Sequence, residues 1–146
     1  MTPLLAQFFA SHSFDPNDWN APVEHGLTPL MRAALSGEAQ LVTELLAAGV
    51  DAHKRNSDGN TAVWLACVAE SESILDQLAT AGADLDNQND VGATPLMYAA
   101  SSGKPAMVRQ LLRLGADPLV ENQDGARAGE MAATVACLQL LRSTVR

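Results

Sequence analysis

The sequence predicts an all-α repeat solenoid, and three observations carry that prediction. Gly26, Gly59, Gly92 and Gly125 recur every 33 residues, and the blocks that start on them align without a gap. Composition is 47% hydrophobic but only 4% aromatic, rich in Ala and Leu, which favours close-packed helices over a β-sandwich. Within each block two short apolar stretches are separated by a turn signal, a pattern that suits paired helices and not strands.

Each element follows from its residues. Thr28, Thr61 and Thr94 stand where a first helix would be capped, with Pro29 and Pro95 preset for its first turn. Gly37 and Gly103 supply the left-handed residue that stops this helix after about two turns. A second helix places Leu41-Val42, Ile74-Leu75, Met107-Val108 and Leu140-Leu141 on its buried side. Gly49, Gly82 and Gly115 end it, and Asp51, Asp84 and Asp117 lead into an extended arm. The arm tip carries Asp58-Gly59 or Asp124-Gly125, a turn-favouring pair. Block two departs from its neighbours, with Ala62 for the Pro and Glu70 for the helix-ending Gly. Glu tolerates a left-handed conformation poorly, so a different turn is expected at "AESES".

A period of 33 with "TPL" at the head of the block resembles the ankyrin repeat, over about residues 18–146. The resemblance implies helix–turn–helix units with β-hairpin arms. One domain is expected over 1–146, with a capping half-repeat at 1–25, full repeats at 26–58, 59–91 and 92–124, and a truncated capping repeat at 125–146. In the half-repeat, residues 2–12 read as a lone second helix, with Thr2-Pro3 at its start and Phe8-Phe9 as its buried pair. Terminal units need such caps, because a bare end exposes stacking core.

The resemblance also implies a binding surface, since arm tips and the exposed side of first helices usually meet partners in this family. By register the tips carry Glu24, His25 and Leu27, then Ser57, Asp58 and Asn60, then Asp90 and Val91, then Gln123 and Asp124. The helix row carries Leu35, Val68 and Ser101, and one turn earlier Arg32, Leu65, Tyr98 and Met131. Leu65 and Met131 are expected to complete the core. Trp64 replaces the family's histidine in "TAVW", as a structural side chain or an interface anchor. An apolar strip edged by carboxylates suits a protein or peptide partner with basic residues around an apolar anchor. An alternative surface is an outer anion-binding cluster of Arg109, Arg113, Arg142 and Arg146, four apart on successive second helices.

Charge and chemistry narrow the remaining classes. Net charge is −8; residues 1–103 carry three basic and 13 acidic side chains, and residues 104–146 carry six and four. Such a chain repels nucleic acid and anionic lipid over most of its surface. No apolar run approaches the ~18 residues that a membrane span needs. His12, His25 and His53 are scattered, and His25 beside Asp58 gives two ligands where zinc takes three or four. No Ser or Cys has an assignable base, so neither a catalytic residue nor a cofactor or metal site is expected. Cys67 and Cys137 read as reduced thiols of a cytoplasmic protein, and short capped stacks predict a monomer. The expected function is a non-enzymatic, bacterial-style binding module that acts as a regulator or inhibitor of its partner, with a secreted host-directed effector or a structural factor as the competing class.

Overall fold

The computed structural model describes the backbone of residues 1–144 and the side chains as far as Ser143. The chain divides into two units, residues 1–83 and 84–146.

The first unit holds five α-helices, α1 (Pro3–Ser11), α2 (Pro29–Leu35), α3 (Ala39–Ala47), α4 (Ala62–Val68) and α5 (Glu72–Thr80), and a short 3-10 turn at Glu24–Gly26. Helix α2 packs on α3 and α4, α4 on α5, and α3 on α5. Small residues make this possible: Ala33, Ala34, Ala66 and Cys67 are all fully buried, so backbones approach closely. Leu41, Val42, Leu45, Ile74, Leu75 and Leu78 fill the space between second helices. Gln77 ties α5 to α3, its Nε2 donating to the Ala39 carbonyl at 3.3 Å while its Oε1 accepts from Thr43 Oγ1 at 2.7 Å.

The second unit holds α6 (Pro95–Ser101), α7 (Pro105–Leu114), α8 (Ala128–Met131) and α9 (Val135–Thr144). Helix α6 packs on α7 and α8, and α9 on α7 and α8. Its core repeats that of the first unit with Leu96, Met97, Met107, Val108 and Leu111.

The start signals hold at Thr2, Thr28 and Thr94, whose hydroxyls accept backbone N–H groups of Leu5, Met31 and Met97 at 3.2, 3.3 and 3.2 Å. Thr61 departs from this pattern. It makes no capping bond, and its buried Oγ1 has no hydrogen-bond partner among the described residues. The turn after α4 differs from expectation in the opposite sense. Glu70 takes the left-handed conformation at φ 55° and repeats its neighbours' geometry, its N–H on the Cys67 carbonyl and that of Ser71 on Ala66. Gly37 does the same through Ala34, with Glu38 N–H on Ala33, so the turn is set by the helix-terminal hydrogen bonds and not by the residue in it.

Three other expectations need correction. The arms are tight turns, not β-hairpins; no strand occurs among the described residues. Backbone bonds in both directions close each turn: the N–H groups of Val23, Asn56, Asn89 and Asn122 donate to the carbonyls of Leu27, Asn60, Ala93 and Ala126 at 2.8 to 2.9 Å, and those of Gly26, Gly59, Gly92 and Gly125 donate back to the carbonyls of Val23, Asn56, Asn89 and Asn122 at 2.9 to 3.1 Å.

Helix α1 is not a repeat's second helix laid parallel to the next. Met1, Thr2 and Leu5 gather with Glu44, Ala47 and Ala48, whereas Ser11 and His12 gather with Glu38 and Leu41. The helix therefore runs antiparallel to α3. The cause is an aromatic turn-back: Ser13 adopts φ 60°, the Phe14 N–H bonds the Phe9 carbonyl at 3.0 Å, and the Trp19 ring packs at a tilt of 59° with its centre 5.3 Å from that of Phe9. Phe8 and Phe9 are buried as expected.

The last block is out of register. Helix α8 has four residues where α2, α4 and α6 have seven, because Gly129 is a poor helix former and Arg127 replaces the capping Thr. The chain leaves the helix with Ala133 N–H bonded to the Ala100 carbonyl at 3.0 Å, and Thr134 caps α9 by accepting from Cys137 N–H at 3.2 Å. Helix α9 thus starts three residues early. Cys137 and Leu141, not the pair Leu140-Leu141, take the buried places, and Leu140 is half-buried.

Candidate functional site

Asparagine builds the arm tips at 56–60, 89–93 and 122–126, whereas the first tip has Val23 in that place. Asn56 Oδ1 accepts the N–H groups of Asp58 and Asn60, both at 3.0 Å. Asn89 does the same for Val91 and Ala93 at 3.1 and 3.0 Å, and Asn122 for Asp124 and Ala126 at 2.9 and 3.0 Å. One side chain satisfies two backbone donors that a turn would otherwise leave to water. The sequence carries this signal as Asn56, Asn89 and Asn122, 33 residues apart and one or two places before each tip.

Neighbouring tips are bonded to each other within each unit. In the first, Ser57 N–H donates to the His25 carbonyl at 3.0 Å, and Gly26 lies so near that a Cβ there would sit 2.8 Å from the Ser57 nitrogen. In the second, Gln123 N–H reaches the Val91 carbonyl at 3.4 Å and its Nε2 the Asp90 carbonyl at 2.8 Å. Gln88 Nε2 adds bonds to the carbonyls of Gly92 and Glu121 at 3.0 and 2.8 Å. The backbone of each tip is therefore fixed while its side chains remain outside.

The structure brings together Glu24, His25, Ser57 and Asp58 in the first unit, all exposed. Leu27 beside them is half-buried. Asp90 and Val91 are exposed in the second, Val91 at 61%. Asn60 is a correction: at 7% exposure it belongs to the interior of its turn and presents nothing to a partner. On the first helices Leu35, Trp64, Val68 and Tyr98 are half-buried and Ser101 is exposed. Leu65 is buried as core, while Met131 is half-buried. Lys104 Nζ lies 5.7 Å from the centre of the Tyr98 ring, so that aromatic face is already shared with a cation.

The outer arginines are not brought together as register implied. Arg109 borders Ala136, Gln139, Leu140 and Ser143, so Gln139 and Ser143 occupy the places expected for arginine. The three residues missing from α8 turn Arg142 to another surface, beside Leu119 and Arg127. Arg113 is exposed, and Arg146 lies outside the described residues. No group of three or more potential metal ligands occurs among the described residues, and no helix there is long and apolar enough to cross a membrane.

Short two-helix blocks, joined by arms whose neighbouring tips are hydrogen-bonded within each unit, define a helical repeat protein. The chain belongs to the ankyrin repeat family: a family model described as ankyrin repeats (3 copies) matches residues 30–122. No curated protein matches the chain. Ankyrin repeats are generally protein–protein interaction modules.

Proposed function

We propose that this protein is a non-enzymatic binding module. It meets a protein or peptide partner through the concave side of its repeats, and covering a partner's own site in this way makes it a regulator or inhibitor of that partner. The observation that carries the reading is the tip geometry. Glu24, Asp58, Asp90 and Asp124 project from turns that hydrogen bonds have already fixed, so little ordering is lost on association. Leu35, Trp64 and Val68 in the first unit and Tyr98 in the second offer half-buried apolar area on the first helices. Carboxylates around such area select Lys or Arg flanking an apolar anchor. The buried side chains of Cys67 and Cys137 fit a reducing cytoplasm.

The test is affinity capture from native lysate with wild type beside two variants, Asp90→Lys with Tyr98→Ala and Asp58→Lys with Trp64→Ala. Loss of one specific partner in either variant, with unchanged far-UV circular dichroism, supports the reading. A partner retained equally by all three proteins sinks it.

A further inference from the structure

The last block carries a slot where the other blocks carry core. Leu30, Val63 and Leu96 occupy one repeat position and are 0 to 2% exposed; the fourth occupant of that position is Gly129. An added Cβ at Gly129 would meet nothing within 4 Å. The space belongs to an open groove of about 550 Å³ whose walls include Leu119, Leu138 and Leu141. Leu119 is 46% exposed and gives the groove open apolar area.

The groove is edged by charge of both signs, unequally engaged. Arg127 already meets Glu121 at 3.9 Å, and Glu130 Oε1 accepts the Arg127 N–H at 3.3 Å. Arg142, also on the groove, is exposed, and no ion pair to it occurs among the described residues. Apolar walls with one available guanidinium suit an aliphatic side chain carried beside a carboxylate.

We propose that this groove is a second binding site. Its occupant is a leucine-type side chain of a partner protein, seated in the place that Gly129 leaves open, with an adjacent Asp or Glu on Arg142. It is independent of the concave surface and selects the opposite charge.

The experiment titrates a capped peptide, acetyl-Gly-Glu-Leu-Leu-Glu-Gly-amide, into 15N-labelled protein, beside versions with Lys for both Glu or Ser for both Leu. Shifts centred on Gly129, Leu119 and Arg142 are expected, with affinity on the order of 1 mM or tighter for this minimal probe. Gly129→Leu refills the position with the residue of blocks one and three. It is expected to melt at the same or a higher temperature and to bind at least about tenfold more weakly. Arg142→Gln is expected to weaken binding two- to fivefold and to remove its salt dependence. Equal binding of the Lys peptide, equal binding by a folded Gly129→Leu protein, or no shift in wild type overturns the proposal. So does wild-type self-association that Gly129→Leu abolishes, which would make a second copy the occupant.

Discussion

Asn20 and Asp86 hold the same place in their blocks and perform the same task. Each side-chain oxygen accepts the backbone N–H of the residue 31 further on, Asp51 and Asp117 respectively, both at 2.8 Å. They differ in charge. Burial pushes the Asp86 carboxyl above its ordinary value, and the carboxylates of Asp84 and Asp117 push it further, against the N–H of Asp117 that favours the ionised form. Because the folded state holds this proton more tightly than the unfolded chain, stability falls as pH rises from about 3.8 through the folded value. Asp86→Asn keeps the acceptor without the charge. Its melting temperature should exceed wild type at pH 7, with the gap closing near pH 3. A constant gap across that range would mean that ionisation is not the cause.

Thr61 and Thr94 invite a matched pair of substitutions. Thr94→Val removes a cap and should cost about 1 kcal/mol. Thr61→Val removes a buried hydroxyl without a hydrogen-bond partner among the described residues, and should stabilise by up to about 1 kcal/mol. Chemical denaturation of both variants checks the sign, which should be opposite.

Gly92 and Gly82 separate two sources of strain. Both have positive φ, 79° and 85°. A Cβ on Gly82 meets open space, whereas one on Gly92 would lie 2.8 Å from the Gln123 nitrogen. Gly82→Ala should cost about 1 kcal/mol for the backbone conformation alone. Gly92→Ala should cost clearly more and loosen the tip contact, visible as faster amide exchange at Gln123.

Helix α1 buries Leu5, Phe8 and Phe9, and its aromatic turn-back includes Phe14. Deleting residues 1–14 should lower the melting temperature and the solubility together, because the apolar side of α3 becomes exposed. Light scattering during thermal melts reads both; an unchanged melt would remove α1 from any stabilising role.

Much of this fold was legible in the sequence because one period of 33 constrains four sets of residues at once. Thr28, Gly37, Leu41 and Gly49 each gain meaning from their counterparts, and their helices form where the pattern puts them. What escaped was whatever breaks the period. Three residues lost from α8 shift Cys137 into a core place and move Arg142 away from Arg109, a change that no local motif announces. The reversal of α1 depends on packing among Phe8, Phe9, Phe14 and Trp19, residues distant from any repeat template. Of the candidate site, the exposed tip residues were legible from register. The inward turn of Asn60 was not, because the Asn56 side chain that gathers this turn is as polar as the residues it holds.

The asparagine-closed turns separate what holds a loop from what the loop displays. Asn56, Asn89 and Asn122 do the holding with atoms that a ligand never meets. Ser57, Asp58, Asp90, Val91 and Asp124 can then be exchanged with little penalty to folding. A chain built this way can change its recognition chemistry one outward side chain at a time and keep the same scaffold underneath.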